Sequence, residues 1–372
     1  MTAPDPIPPT AVRRQGQTPA PVAAGSGATY LVTGGAGFIG SHTVQALRAR
    51  GDRVVVLDNL RQGHAEAVPT DVPLVVADLA DRARLAEVFA TWKIDAVLHF
   101  AALSLVGESM LDPIRYCRDN LANAMNLAEA AIAGGCRRFV LSSTAALFLP
   151  PEDGSAIADD AVPDPQNAYG ESKYLIERAL AWADRVHGLR TAALRYFNAA
   201  GCDPEGRLGE DHDPETHLIP ITIDAALGRR PPLSIFGSDY PTRDGTAIRD
   251  YIHVSDLASA HLAALDRLET GSCRYNLGTG LGTTVHEVVA AVERVSGRRV
   301  PVQAAPRRAG DPAVLVARSE RFQADTGWEP RIRRLDDLVA TAWEWRLRHP
   351  GGYGNPQAGM REAAAARYRP AR

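Results

Sequence analysis

An α/β fold is predicted, a doubly wound parallel sheet followed by a smaller C-terminal lobe, and three observations predict it. Short β-rich runs alternate with longer amphipathic stretches from Thr29 onward. The runs are continuously apolar, as in Val54-Val55-Val56-Leu57, which is the pattern of strands covered on both faces. After about Asn198 the rhythm gives way to longer loops with denser proline and glycine. Parallel strands joined by right-handed helical crossovers satisfy the first two observations, and a second lobe satisfies the third.

Strands are predicted over Tyr30–Thr33, Arg53–Asp58, Leu74–Ala77, Ala96–Ala101, Phe139–Ser143 and Thr191–Tyr196. Between them the apolar spacing predicts helices over Ile39–Arg50, Arg82–Trp92, Ile114–Ala133 and Ala168–His187. The second half carries helical patterns near Leu218–Leu227, Val285–Val295 and Leu335–Arg346. The domain reading is therefore a leader over 1–27, a doubly wound domain over 28–197, a smaller lobe over 198–353 with some segments returning to the first domain, and a loose tail over 354–372. The leader holds Pro4, Pro6, Pro8, Pro9, Pro19 and Pro21 but no apolar run of a secretory signal, so it reads as disordered.

Composition excludes several classes. A net charge of −3 offers no basic field for nucleic acid. No apolar run approaches the roughly 20 residues of a membrane helix. Cys117, Cys136, Cys202 and Cys273 are scattered, with no CxxC pair and no histidine-rich neighbourhood, so neither a disulfide framework nor a metal site is expected. They read as small buried hydrophobes in a reducing cytoplasm.

Leu31-Val32-Thr33 runs into Gly34-Gly35-Ala36-Gly37-Phe38-Ile39-Gly40 and then into a helix. A glycine-rich turn there lets backbone N–H groups approach a pyrophosphate at the positive end of the helix, the Rossmann arrangement. Asp58 ends the next strand, 18 residues after Gly40, where a carboxylate accepts the adenosine ribose hydroxyls and repels a 2′-phosphate. NAD is favoured over NADP. Asn59 and Asp78, at following strand ends, are candidate contacts to the adenosine half.

Tyr169-Gly170-Glu171-Ser172-Lys173 opens a helical pattern, so the phenol and the ammonium share one face. A tyrosine titrating near 10 needs a shift of about 3 units, or about 4 kcal/mol, to act as a base near neutrality. Lys173 and the positive nicotinamide ring are the sources expected to supply it. Ser142, Ser143 and Thr144 end the preceding strand at the carboxyl edge of the sheet; Thr144 is placed to bond the reacting oxygen, and Ser142 reads as a strand-end cap.

Together the glycine turn, Asp58, Ser143-Thr144 and Tyr169-x-x-x-Lys173 resemble the extended short-chain dehydrogenase/reductase superfamily. Within it, Arg195-Tyr196-Phe197-Asn198, Ile235-Phe236-Gly237-Ser238-Asp239-Tyr240-Pro241-Thr242, Asp244-Gly245-Thr246, Arg249-Asp250-Tyr251-Ile252-His253-Val254, Tyr275-Asn276-Leu277-Gly278 and Ala305-Pro306-Arg307-Arg308-Ala309-Gly310-Asp311 resemble the UDP-glucose 4-epimerase family, from about Thr29 to Tyr353. The resemblance implies Tyr169 as base, Lys173 as its electrostatic support and ribose contact, and Thr144 as assistant. It implies tightly held NAD, with Leu79, Phe100, Ala101, Ala102, Asn120, Ser143, Tyr196 and Phe197 lining it beside the glycine turn. It implies a UDP-sugar held by Asn198, His217, Leu218, Phe236, Arg249, Arg308, Asp311 and Leu315, and a homodimer built through helices of the first domain.

The chain departs from the family in places. Ala146 stands where a hydroxyl reaches the hexose, Ser104 where a lysine meets the cofactor, and His217 where an asparagine lies beside the substrate. Leu315 falls where bulk disfavours an N-acetyl group on C2. A dehydratase needs an Asp-Glu pair after Thr144, and Ala145-Ala146 lacks it. A non-catalytic NAD-binding protein predicts a broken Tyr-x-x-x-Lys, and the pair is intact. The alternatives are a 4-epimerase of another UDP-sugar, a pentose or an N-acetylhexosamine, and, more distantly, the non-catalytic NAD-binding protein.

Overall fold

The computed structural model describes residues 27–151, 153–308 and 311–354. The expected leader and tail, but for Gly27 and Gly354, lie outside those residues. The chain runs β1 Thr29–Thr33, α1 Phe38–Ala49, β2 Arg53–Asp58, β3 Leu74–Val76, α2 Arg82–Thr91, β4 Ala96–His99, α3 Val106–Leu111, α4 Pro113–Ala133, β5 Arg138–Ser142, α5 Ala168–His187 and β6 Arg190–Tyr196. It continues through β7 Asn198–Ala200, α6 Leu218–Ala226, β8 Leu233–Phe236, β9 Ile248–Arg249, β10 Tyr251–His253, α7 Val254–Arg267 and β11 Cys273–Leu277. Last come β12 Thr283–Thr284, α8 Val285–Ser296, β13 Val302–Ala305, β14 Val314–Leu315, α9 Glu320–Thr326 and α10 Leu335–Arg348.

Seven strands form the main sheet in the order β11-β6-β5-β4-β1-β2-β3, every neighbouring pair parallel. Successive strand residues feed opposite cores, which explains the unbroken apolar runs. Val32, Val56 and Leu98 pack with Val44 and Leu47 of α1 and with Leu257 and Leu265 of α7. Leu31, Val55 and Val97 pack on the other face with Leu85 of α2, Leu127 of α4, and Ile176 and Leu180 of α5. Burying each such side chain contributes about 1.5–3 kcal/mol relative to leaving it in water.

Connections leave β1 toward β2 on one side and reach β4 on the other. That reversal opens a crevice above the carboxyl ends of β1 and β4, the place where open α/β sheets bind ligands. β4 stops at His99, two residues before the predicted end. The Phe100 and Ala101 amides both donate to the Thr33 carbonyl, at 2.9 and 3.2 Å, and a ladder cannot continue through two donors on one acceptor.

Several elements escaped the sequence reading, α3, α7, α9 and the strands from β7 onward among them. The α7 helix packs on α1, and β11 extends the main sheet beyond β6, with Tyr275 opposite Leu194. The rest of the second half gathers around Ile219 and Ile223 of α6, Val288 and Val292 of α8, and Val339 and Trp345 of α10. Three small sheets, β7–β10, β8–β13 and β12–β9–β14, complete it. Among the described residues no helix is long and apolar enough to cross a membrane.

Candidate active site

The glycine turn is closed to a side chain at Gly34, Gly35 and Gly40, and more weakly constrained at Gly37. A Cβ on Gly34, whose φ is +72°, would lie 2.6 Å from the Ala101 amide nitrogen. One on Gly40 would lie 2.1 Å from the Gly34 carbonyl oxygen. At Gly37, with an ordinary φ of −83°, a Cβ would meet nothing nearer than the Gly34 oxygen at 3.3 Å. Protein packing therefore requires glycine at 34 and 40, whereas Gly37 faces the space a pyrophosphate needs against bare backbone. Gly37 also caps α1 without a side-chain bond, and the first turn, which includes Phe38 and Ile39, carries no acidic residue. The N-terminal end of α1 is thus set for an anion.

Asp58 is buried at the end of β2, accepting from the Ala36 amide at 3.0 Å and the Leu60 amide at 2.9 Å. Burial raises its pKa, and those two amides oppose the rise. Asn59 donates to Asp78 at 2.9 Å, so both adenosine-side candidates meet on one rim. The Leu79 carbonyl accepts from Asn126 at 3.1 Å. On the opposite rim Phe100 packs on His261 with ring centroids 4.7 Å apart. Asn120 bonds Leu103 through both its oxygen and its nitrogen, at 2.8 and 3.0 Å, and reaches the Ser172 hydroxyl at 2.9 Å. Its amide fastens the segment after Ala101-Ala102 to α5.

Helix α5 begins where it does because Asn167 accepts from the Gly170 amide at 2.8 Å, and it ends on Gly188 in the left-handed region. That start places Tyr169 in the first turn and Lys173 one turn on. Lys173 Nζ, wholly buried, donates to the Ser142 carbonyl at 2.9 Å. The Ser142 hydroxyl bonds the Tyr196 phenol, so Ser142 is a link in the site rather than a simple cap. Thr144 accepts from the Ala146 amide at 3.1 Å, and its hydroxyl lies close enough to the Tyr169 phenol to favour the phenolate.

Burial pushes the Tyr169 phenol up to about 12, and the Thr144 hydroxyl opposes the rise. Burial also pushes Lys173 down to about 8, and Glu177 opposes that fall. Sequence reasoning missed Glu177. It lies on α5 one further turn along, accepts from the Ser143 hydroxyl at 2.6 Å, and forms a buried fork with Arg195 at 3.0 Å (Nε) and 2.5 Å (Nη2). The spacing Tyr169-x-x-x-Lys173-x-x-x-Glu177 was the available signal.

The substrate-side candidates come from the small sheets. Phe236 pairs with Ala305, which brings Arg308 over the Phe236 ring at 4.0 Å from its centroid. Leu315 pairs with Arg249, and Arg249 in turn makes an ion pair with Asp311. Leu315 packs against the Leu147–Phe148–Ile157 cluster together with Phe197. Asn198 donates to the Asp250 carbonyl at 2.9 Å. His217 precedes Leu218 at the start of α6, and its Nδ1 bonds Glu210.

A family model described as the NAD dependent epimerase/dehydratase family matches residues 30–278, from β1 to the end of β11. The chain belongs to this family. Among its epimerases, a UDP-glucose 4-epimerase of Halalkalibacterium halodurans is 48% identical over 327 residues, covering 87% of this chain and 97% of the relative. The crystal structure of UDP-glucose 4-epimerase from Brucella ovis in complex with NAD superposes with a TM-score of 0.82 at 44% identity, over 85% of this chain and 98% of that one. A UDP-glucose 4-epimerase from Bifidobacterium longum in complex with NAD+ and UDP superposes at 0.83 with 35% identity, over 87% and 99%. The open face at Gly37, the anion-ready end of α1 and Asp58 fit the dinucleotide that the family uses.

Proposed function

We propose that this chain interconverts UDP-galactose and UDP-glucose by transient oxidation at C4 of the sugar. The observation that carries the reading is the Thr144–Tyr169–Lys173 constellation at the carboxyl edge of the sheet, beside the open glycine turn. NAD, when bound, supplies the hydride acceptor for C4 and a positive ring charge. Tyr169 takes the 4-hydroxyl proton and gives it back, and Thr144 holds the reacting oxygen. Lys173, fixed by Ser142 and kept charged by Glu177, holds the ribose side and stabilises the phenolate.

Inversion requires the keto sugar to turn over, so affinity has to reside in the nucleotide. Arg249 and Arg308 offer guanidinium forks to the diphosphate, with Asp311 at the uridine ribose and Asn198, His217, Leu218 and Phe236 around them. The UDP bound in the Bifidobacterium longum structure supports that division of labour. Leu315, packed with Phe197 beside the site, favours a hexose without an N-acetyl group.

The test is incubation with UDP-galactose and no added NAD, following the sugar H1 signals by proton NMR. Appearance of UDP-glucose is expected, and it also establishes a retained cofactor. Turnover of UDP-N-acetylgalactosamine or UDP-xylose alone moves the substrate, and no turnover even with NAD supplied defeats the reading. The chain further acts as a homodimer in the cytoplasm, supported by exposed apolar residues on α3, α4 and α5 and by four free cysteines.

A further inference from the structure

The loop between β7 and α6 contains Glu210-Asp211-His212-Asp213-Pro214-Glu215-Thr216-His217. From it four donor atoms converge: Glu210 Oε1, His212 Nδ1, Glu215 Oε2 and His217 Nδ1, one from each residue. Such atoms of the four residues all lie within 4.8 Å of one another. His212 Nδ1 is 3.3 Å from Glu210 Oε1 and 3.7 Å from Glu215 Oε2. His217 Nδ1 contacts Glu210 Oε1 directly. Around a tetrahedral zinc with bonds of about 2.0–2.2 Å, neighbouring donor atoms stand about 3.3–3.6 Å apart. The first separation falls within that range and the second just beyond it.

A second observation is independent of the clustering. The Glu215 side chain is 6% exposed, yet its Oε2 carries no hydrogen bond, and neither does the buried Nδ1 of His212 facing it. A gap of 3.7 Å is too long for a hydrogen bond between them. The other oxygen of Glu215 is held by the Thr216 amide at 2.8 Å and the His217 amide at 2.9 Å. Outer bonds of this kind orient a carboxylate ligand and leave its free oxygen aimed at a metal. Arg346 stands 3.9 Å from Oε2 but donates to Asp224 at 2.9 Å.

We propose that Glu210, His212, Glu215 and His217 form a structural site for one divalent transition metal, zinc by its two-imidazole, two-carboxylate donor set. Two carboxylates and two neutral imidazoles neutralise a dication, and four protein ligands close the coordination sphere. The half-exposed His217 gives the ion its way in. Bound there, the metal ties the loop to the start of α6, next to Leu218. It also steadies His212 against Phe38 of the glycine turn, whose ring meets it edge-on at 6.0 Å.

The untagged full-length chain, stripped with chelator and then dialysed against zinc, tests the site. After gel filtration, elemental analysis should find about one zinc per chain, and zinc should raise the midpoint of thermal unfolding by about 2–4 °C or more over the stripped protein. Glu215→Gln and His212→Asn should each weaken zinc binding by more than the roughly 10–100-fold seen when only an outer partner is lost. His217→Asn, at a half-exposed position, keeps the comparison available if the buried variants fail to fold. Bound NAD content reports folding in each case. Zinc at trace levels in the wild type overturns the proposal, and so does equal zinc binding in the folded variants.

Discussion

At the scale of single residues, the site is built from groups that burial works against. Tyr169 is held up at about 12, far from its working state until positive charge arrives over the phenol, and Lys173 is held down at about 8, still charged near neutrality. Tyr169→Phe should therefore keep NAD, measured by absorbance of the released cofactor, and lose about 10²–10⁴-fold in kcat. Full activity in that variant removes the assigned base. Glu177 makes a finer prediction. Its charge opposes the fall of the Lys173 pKa, so Glu177→Gln lets burial drive that pKa further below about 8. The ammonium is then lost at lower pH, and the alkaline limb of the kcat profile should move toward acid. A merely structural Glu177 would lower activity without moving the limb. The same change leaves Arg195 buried without its partner, a loss of about 3–5 kcal/mol visible in denaturant unfolding.

At the scale of elements, the β1–α1 turn and α5 carry the chemistry because their ends are defined locally. Gly37 and Gly40 make opposite predictions despite sharing one motif. Gly40→Ala drives a methyl into the Gly34 carbonyl and should cost about 1–3 kcal/mol of stability as the turn distorts. Gly37→Ala meets a single tight contact of 3.3 Å, relieved by a shift of the Gly34 carbonyl of a few tenths of an ångström, so the chain should fold with a smaller loss than Gly40→Ala. Its NAD content should nevertheless collapse, because the methyl occupies the pyrophosphate's approach. Equal NAD content in wild type and Gly37→Ala would remove the turn from cofactor binding. The α5 start is likewise set locally: Asn167 before Tyr169 caps it, and caps act within one turn.

At the scale of the whole molecule, the helices beside the sheet present apolar side chains to solvent. Leu111 is 87% exposed, Ile114 76%, Val186 67% and Trp182 62%, on α3, α4 and α5. Combined Ile114→Asp and Trp182→Glu should convert the proposed dimer to monomer in sedimentation velocity, while the core of α4 and α5 against the sheet stays intact. An unchanged sedimentation coefficient would place the dimer contact elsewhere or show the wild type to be monomeric.

What the sequence by itself determined lies within short stretches of chain. Two-sided apolar strands, the glycine turn, Asp58 at its strand end and Tyr169 one turn before Lys173 are each encoded by spacing, since strand and helix periods are local properties. Tertiary structure alone decided which distant segments meet. β11 crossed back to lie beside β6, Glu177 found Arg195, Arg249 found Asp311, and Arg308 settled over Phe236. The His212 cluster belongs to both levels: its residues span eight positions, but of the four only His217 stood out in sequence, as a substrate contact, and the backbone brings their donor atoms together. Those meetings are set by burial and hydrogen-bond closure across the whole chain, against the entropy of closing long loops, and no local period records them.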